Sequence, residues 1–243
     1  MNTEIKQLED ALMGRDAYGC IKKIHDTYKK HLVLASSLGL EDQVLTDMFL
    51  KINPEARIIV LDTGRLHPET YDVMEKTEKK YNMTFEIYYP SSNMIELMVQ
   101  KKGINLFYNS IENRKECCHI RKVLPLKRAL STANAWITGI RHSQSAARMH
   151  TPLVEWDTGN NCVKVNPLID WSETDVKHYI KENDVPYNEL HDKGFPSIGC
   201  APCTRAVPEG MDSRSGRWWW EHEDQKECGL HVVDGKLVRK KKK

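Results

Sequence analysis

Short apolar runs alternate with amphipathic stretches along most of the chain. Four of these runs have strand propensity and end in a polar or glycine-containing loop: residues 31–35, 57–61, 84–89 and 135–138. Helical periodicity marks the stretches around them: residues 41–51, 68–80 and 172–183, with two shorter helices within residues 1–30. Because continuous apolar strands that alternate with helices are buried on both faces, the pattern predicts an α/β fold with a parallel sheet flanked by helices.

Several residues mark where the predicted helices begin. Pro68 stands at the start of one helix, where its missing N–H costs nothing. Ser172 and Asp175 form a capping-box pattern at the start of another. Ser91 or Ser92 is expected to cap the helix that follows the third strand.

Three polar loops follow the predicted strands at their carboxyl ends. They contain Ser36 and Ser37, the run Asp62-Thr63-Gly64, and Gly139. In an open parallel sheet, ligands bind beyond the carboxyl ends of the strands, where such loops meet. The sequence therefore predicts a ligand site formed by these three loops.

Composition and charge narrow the class of protein. The chain has 243 residues and 40% apolar content, which suffices for a globular domain with a substantial core. Its 36 Lys and Arg residues against 34 Asp and Glu residues give a net charge of +2, but residues 239–243 supply five of the positive charges. The remainder has 31 positive and 34 negative charges, or −3, so charge gives no argument for nucleic-acid binding.

The apolar runs are too short for a membrane protein. None approaches the roughly 20 residues that a membrane-spanning helix needs, and the first residues lack the apolar core of a signal peptide. We therefore expect no membrane association and a cytoplasmic protein.

Cysteine content is the most unusual feature of the composition. The seven cysteines are Cys20, Cys117, Cys118, Cys162, Cys200, Cys203 and Cys228. In a reducing compartment clustered cysteines indicate metal binding or catalysis rather than disulfides. The Cys200-x-x-Cys203 pair, with Cys117 and Cys118 upstream, could supply four thiolates to a zinc ion or an iron–sulfur cluster. Adjacent side chains diverge, so the Cys117-Cys118 pair reaches two corners of a cluster more easily than one small ion.

The remaining cysteines have other interpretations. Cys20 and Cys162 are equally well explained as small buried hydrophobic residues. Cys228 has no cysteine partner, lies in a polar segment and has His231 three residues away. Because an accessible thiolate next to a cation is reactive, Cys228 is a candidate nucleophile.

Seven motifs are distributed from about residue 34 to residue 231. They are Ser37-Leu38-Gly39-Leu40-Glu41-Asp42, Leu61-Asp62-Thr63-Gly64, Cys117-Cys118-x-x-x-Lys122, Thr138-Gly139-Ile140-Arg141, Cys200-x-x-Cys203-Thr204-Arg205, Gly216-Arg217-Trp218-Trp219-Trp220-Glu221 and Glu227-Cys228-Gly229-Leu230-His231. Together they resemble the assimilatory adenylyl-sulfate reductases of the PAPS/APS reductase family. The resemblance implies a fold related to the adenine-nucleotide α-hydrolases, or ATP pyrophosphatases. It also implies reduction of adenosine 5′-phosphosulfate (APS) to sulfite and AMP, one 4Fe-4S cluster per chain, and thioredoxin or a glutaredoxin-like dithiol as electron donor.

The resemblance assigns roles residue by residue. The implied cluster ligands are Cys117, Cys118, Cys200 and Cys203. The implied nucleophile is Cys228, which would pass through an S-sulfonate, and His231 is a candidate for tuning it. The implied substrate-binding residues are Ser36, Ser37, Asp62, Thr63 and Gly64 for the nucleotide, and Lys122, Arg141, Arg148, Arg214 and Arg217 for the phosphosulfate. Ala146-Ala147-Arg148 departs from the segment expected there, which weakens the assignment of Arg148.

We expect a single α/β domain over residues 1–227, whose first 30 residues are helical, and a mobile C-terminal segment over residues 228–243 with a basic tail. The run Trp218-Trp219-Trp220 is expected to pack around the cluster rather than to contact the ligand. A homo-oligomer is left open.

Three alternatives remain at the level of sequence. The first is reduction of 3′-phosphoadenylyl sulfate (PAPS), or of both nucleotides, although strict PAPS reductases resemble this chain without the two cysteine pairs. The second is an ATP pyrophosphatase that adenylates a carbonyl, but such enzymes have a loop richer in glycine than Ser36-Ser37-Leu38-Gly39. The third is a zinc-binding interaction protein without catalytic activity.

Overall fold

The computed structural model describes residues 2–145 and 148–222 of the chain. In these ranges the strands are β1 Leu32–Ser36, β2 Arg57–Leu61, β3 Glu86–Tyr88, β4 Ala135–Ile137, β5 Val154–Asp157 and β6 Cys162–Val165. The helices are α1 Asn2–Leu12, α2 Ala17–Tyr28, α3 Leu40–Ile52, α4 Pro68–Tyr81, α5 Ser92–Lys102, α6 Ile111–Cys118, α7 Leu124–Leu130 and α8 Glu173–Glu182. A π-helical turn, His119–Val123, joins α6 to α7. The strands and helices expected from hydrophobic periodicity are all present, with bounds shifted by a few residues.

The strands form one sheet in the order β3-β2-β1-β4-β6-β5. The five strands from β3 to β6 are parallel, as the alternating pattern predicts, and only β5 runs antiparallel, paired with β6. The sequence did not indicate the β5–β6 hairpin. Each of its strands carries charged residues, among them Glu155 and Lys164, whose side chains form an ion pair of 2.6 Å across the hairpin. Apolar periodicity therefore fails to reveal these two strands.

Both faces of the sheet are covered. Leu32 and Leu34 of β1 belong to the larger core, which α1, α2, α3, α4 and α8 complete. Val33, between them, belongs to a smaller core on the opposite face, together with Trp136 of β4 and residues of α7. Successive strand residues point to opposite faces, so this arrangement explains why β1 is apolar at consecutive positions.

Local sequence features set the helix termini. Pro68 occupies the first turn of α4. Ser172 and Asp175 form the predicted capping box of α8. Ser91 is at the N-cap of α5, but its side chain makes no capping hydrogen bond there. Over the described ranges, no helix is long and apolar enough to cross a membrane.

Candidate active site

A cavity of about 390 Å³ lies at the carboxyl ends of β1, β2 and β4. Its size is typical of sites for small organic ligands. Eight of the ten predicted substrate-binding residues line it: Ser36, Ser37, Thr63, Lys122, Arg141, Arg148, Arg214 and Arg217. As far as the described residues define the wall, Asp62 and Gly64 lie outside it. The loops that the sequence singles out therefore do meet at one site.

The loop after β1 folds around the buried carboxyl group of Asp42. The backbone amide and the hydroxyl of Ser37 both donate to Oδ2 of Asp42, at 2.7 and 2.6 Å. Asp42 lies in the first turn of α3 and is 8% exposed. Burial raises the pKa of its carboxyl to about 6, although the hydrogen bonds from Ser37 act in the opposite direction. The wall of the cavity thus contains an acid that titrates near neutral pH.

The loop after β4 approaches the same carboxyl group. A Cβ at Gly139 would overlap the side chains of Asp42 and Glu41, so only glycine allows the two loops to meet. Arg141 then reaches back to Glu41, and its Nε and Nη2 both lie 2.8 Å from Oε1 of that residue. Arg141 also donates to the Ser143 hydroxyl. Arg141 lines the cavity, but its guanidinium is largely engaged with protein groups, and its contact with substrate stays a prediction.

Arg148 is held next to this loop through Gln144. Nη1 of Arg148 donates to Oε1 of Gln144, while the amide nitrogen of Gln144 donates to the Gly139 carbonyl at 3.1 Å. The two alanines at 146 and 147, where the sequence departs from the family pattern, lie outside the described residues. Despite that departure, Arg148 lines the cavity.

Asp62 and Gly64 shape the loop after β2 from behind the cavity wall. Asp62 is 4% exposed and accepts a hydrogen bond of 2.7 Å from the Gly64 amide. The Tyr71 hydroxyl lies 3.0 Å from both of its carboxylate oxygens. Gly64 has a φ of +69°, a conformation that glycine adopts without strain. These two residues therefore fix the backbone that presents Thr63.

Thr63 connects the cavity with the cysteines. Its hydroxyl lies 3.3 Å from Sγ of Cys200. Its carbonyl accepts a 2.6 Å hydrogen bond from Nη1 of Arg121, whose guanidinium also interacts with the thiol of Cys117. The loop after β2 thus touches both cysteine-bearing segments.

Cys117 and Cys118 end α6, and the π-helical turn follows immediately. Single π-helical turns are frequent at functional sites. This turn carries Arg121 towards Cys117, and it carries Lys122 to the cavity. The positive charge of Lys122 also acts on the thiol of Cys203. Lys122 therefore lies between the cavity and the cysteines, and its contact with a cluster and a substrate stays a prediction.

The four predicted ligand cysteines share one apolar pocket, separate from the two cores of the sheet. Cys117, Cys200 and Cys203 are buried, and Cys118 packs against them. The apolar side chains of this pocket are those of Met98, Leu106, Phe107, Ile120 and Trp218. Burial raises the pKa of the Cys203 thiol to about 12, while the positive charges of Lys122 and Arg217 oppose that rise.

The cysteine pocket is the candidate site for a metal centre. Within the described ranges, no three His, Cys, Asp or Glu side chains are arranged to hold one ion. Four thiols from two chain segments nevertheless lie together in one apolar pocket, with cationic side chains beside it. That donor set fits a cluster of several metal atoms with separate corners, such as 4Fe-4S.

Arg217 joins the cysteine pocket to the cavity. Its backbone pairs with Thr204, directly after Cys203, in an isolated antiparallel bridge. Its guanidinium lies over Trp218, 4.9 Å from the ring centroid, and Nη1 lies 3.2 Å from the Ile198 carbonyl. A Cβ at Gly199 would overlap this guanidinium, so any other residue there would displace Arg217 from its present position.

The three tryptophans pack as expected, since none of them lines the cavity. Trp218 is 1% exposed within the cysteine pocket. Trp220 packs against that pocket and against Tyr108, with ring centroids 4.4 Å apart. Trp219 packs edge-on against Trp220 at 4.8 Å.

Two predicted residues, Cys228 and His231, lie outside the described residues, as do the predicted domain boundary at 227/228 and the basic tail. Conversely, sequence analysis did not identify the roles of Asp42, Arg114, Arg121 and Glu221. Asp42 and Glu221 stand inside recognised motifs and Arg121 directly precedes Lys122, whereas no motif contains Arg114.

The strand order and the cavity at the carboxyl ends of the strands define an α/β protein with a mostly parallel six-stranded sheet. A structure of the FMN adenylyltransferase of Candida glabrata, at 15% identity and a TM-score of 0.55, shares this fold over 90% of this chain and 78% of its own. Residues 31–206 match the family model described as the phosphoadenosine phosphosulfate reductase domain. The chain belongs to this family, which confirms the expected oxidoreductase class, acting on a sulfur group.

Relatives within the family are more similar. The adenosine 5′-phosphosulfate reductase of Allochromatium vinosum is 50% identical over 200 residues, covering 82% of this chain and 78% of the relative. That of Agrobacterium fabrum is 44% identical over 232 residues, covering 96% and 89%. A crystal structure of the PAPS reductase of Candida auris, a phosphate complex, has 32% identity and a TM-score of 0.71, covering 85% of this chain and 98% of its own.

Proposed function

We propose that this chain reduces APS to sulfite and AMP in sulfate assimilation, with a dithiol protein such as thioredoxin as the electron donor. The observation that carries the proposal is one cavity in which the nucleotide-type loops of an α-hydrolase fold meet Lys122, Arg214 and Arg217 beside four cysteines. The relatives named as APS reductases, at up to 50% identity, support the same activity.

In the first step, the thiolate of Cys228 attacks the sulfur atom of the sulfate group. A sulfur–sulfur bond forms, the bond from that sulfur to the bridging oxygen breaks, and AMP leaves with the electron pair. In the second step, a donor thiolate attacks Sγ of Cys228 and releases sulfite. The second donor thiol then closes a disulfide and restores Cys228, so the dithiol supplies both electrons.

The cationic residues of the cavity make the first step feasible. The phosphosulfate has two negative charges, and the attacking thiolate brings a third. Two like charges about 4 Å apart repel by about 4 kcal/mol at an effective dielectric of about 20. Lys122, Arg214 and Arg217 offset this repulsion and stabilise the charge that develops on the leaving phosphate.

Cys117, Cys118, Cys200 and Cys203 would hold a 4Fe-4S cluster. When bound, it supplies a charged group that ties the two cysteine segments together and sets the field near Lys122. The side chains of this chain support that role, because Thr63 contacts Cys200 and Arg121 contacts Cys117.

The carboxyl groups at the loop after β1 favour APS over PAPS. Asp42 already occupies the donors of Ser37, and the charge of Glu41 is offset by Arg141. A 3′-phosphate bound next to this loop would therefore meet the negative charge of Asp42. Asp42→Asn should accordingly lower the ratio of kcat/KM for APS to that for PAPS, with exposed Asp10→Asn as the matched control.

The decisive experiment is an anaerobic assay of sulfite release from APS and from PAPS, with intact protein and with Cys228→Ser. We expect release from APS, and loss of turnover in the variant with the brown chromophore retained. Mass spectrometry after mixing with APS alone should find one sulfonate on Cys228. No adduct, or an adduct on another cysteine, would overturn the mechanism.

A further inference from the structure

A buried ion pair joins the helix of the first cysteine pair to the end of the tryptophan motif. Nε and Nη2 of Arg114 donate to Oε1 and Oε2 of Glu221 at 3.0 and 2.6 Å, a two-pronged contact. The two side chains are 1% and 4% exposed. Water therefore has almost no access to these two charges, so they do not form an ordinary surface ion pair.

The position of the pair connects three functional parts of the chain. Arg114 lies three residues before Cys117 on α6. Its guanidinium also stacks over Trp218, 4.6 Å from the ring centroid, and Arg217 lies over the same residue at 4.9 Å. Trp218 thus contacts both an arginine of the ion pair and an arginine of the cavity.

Glu221 is the last of the residues described above as packed around Trp218, and the chain then continues to Cys228. Its backbone amide donates to the Trp218 carbonyl at 2.8 Å, so both its main chain and its side chain are fixed. Cys228 follows seven residues later. Seven residues span at most about 25 Å, so the location of Glu221 limits the volume that the Cys228 thiol can reach.

Stability alone gives no reason for an ion pair at this place. The free-energy cost of removing two charges from water offsets most of their mutual attraction. Apolar side chains of similar size in the same place are therefore often equally stabilising. What an ion pair of this geometry does provide is a fixed distance and orientation between two backbones.

We propose that Arg114 and Glu221 are positioning residues, which fix the last part of the described chain before Cys228. This inference deepens the proposed function and rests on it, because it takes Cys228 as the nucleophile. A misplacement of about 1 Å in a reacting group can reduce a rate about 100-fold. The pair should therefore act on the rate of sulfur transfer and little on nucleotide affinity.

The test compares Glu221→Gln with the wild type and with Glu209→Gln, an exposed acid of the same segment. Iron content, AMP affinity and the single-turnover rate of Cys228 sulfonation at saturating APS are measured without a dithiol. For Glu221→Gln we expect iron content and AMP affinity within about twofold of wild type and sulfonation slowed about tenfold or more. Glu209→Gln should match the wild type. Sulfonation of Glu221→Gln within twofold of wild type overturns the proposal.

If Glu221→Gln fails to hold iron, the double variant Arg114→Met/Glu221→Leu replaces it. This variant keeps the packing volume but loses the two-pronged contact, so slow sulfonation is expected again. A folded double variant that reacts at the wild-type rate overturns the proposal, since packing alone would then suffice.

Tryptic cleavage after Arg217, a residue that is 7% exposed, gives a readout that does not depend on the reaction. It should be about tenfold faster in Glu221→Gln, because local opening exposes the site; an unchanged cleavage rate counts against the proposal. A wild type that forms no Cys228 adduct, together with faster cleavage in the variant, overturns the proposed function and retains the structural role of the pair.

Discussion

Replacing Asp42 by asparagine should remove a pH-dependent loss of stability. Burial raises the pKa of the Asp42 carboxyl from its ordinary value of 3.8 to about 6 in the folded protein. Between these values the unfolded chain has released the proton while the folded protein still holds it. The free energy of unfolding therefore falls as pH rises through this window. Asparagine does not titrate, and its amide oxygen can accept the same hydrogen bonds from Ser37.

The size of the effect follows from the shift. About two pKa units correspond to about 3 kcal/mol over the whole window, of which about 1 kcal/mol is lost between pH 5 and pH 7. Below pH 3.8 the carboxyl is neutral in both states and contributes no difference. Above pH 6 the folded protein contains a charged, buried carboxylate and the full cost is present.

The assay is urea unfolding of the anaerobic protein at pH 5, 6 and 7, for the wild type and for Asp42→Asn. The stability of the wild type relative to the variant should fall by about 1 kcal/mol from pH 5 to pH 7. The exposed Asp10→Asn variant serves as the control and should show a constant difference. If the Asp42→Asn difference is also constant, the carboxyl does not have a raised pKa and the reasoning is wrong.

Three further predictions concern the walls of the site. Gly199→Ala should weaken AMP binding about tenfold to 100-fold in calorimetry, because its Cβ displaces the guanidinium of Arg217 and a charge-assisted contact of about 1.5–3 kcal/mol is lost; unchanged affinity would show that Arg217 does not contact the phosphate. Cys203→Ser should lower the iron content of anaerobically purified protein, whereas Cys20→Ser should not, because Cys20 lies in the larger core of the sheet, outside the cysteine pocket; equal iron in both would refute the ligand assignment. Gly64→Ala should lower the free energy of unfolding by about 1 kcal/mol, because a side chain is strained at a φ of +69°, and an unaltered urea midpoint would contradict this.

The sequence predicted the parallel part of the fold because its strands are buried on both faces. Consecutive apolar residues in β1 and β2, with periodic helices between them, leave few alternatives to a sheet covered on two sides. The same argument did not predict the β5–β6 hairpin. Its Lys164 is 5% exposed and is neutralised by Glu155 on the neighbouring strand, a pairing that periodicity along one strand does not contain.

The reactive residues of the candidate site were also identifiable from the sequence, as residue types and motifs. The cysteine pairs, Lys122 and the arginines were all singled out, and the structure brings every described member of this set to the cavity or to the adjoining pocket. Their assignment to a cluster and a substrate depended on resemblance, since spacing alone left zinc and iron–sulfur interpretations open.

Only the tertiary structure decided how these groups are coupled. Arg121 contacts both Thr63 and Cys117, and Glu221 pairs with Arg114 across 107 positions of sequence. Such contacts depend on where folded segments meet in space, and hydrogen bonds and ion pairs act over a few ångströms whatever the separation along the chain. The sequence alone therefore determined the parallel strands up to β4, the loops and the reactive groups, while the raised pKa of Asp42 and the fixed point before Cys228 exist only once burial and long-range pairing are in place.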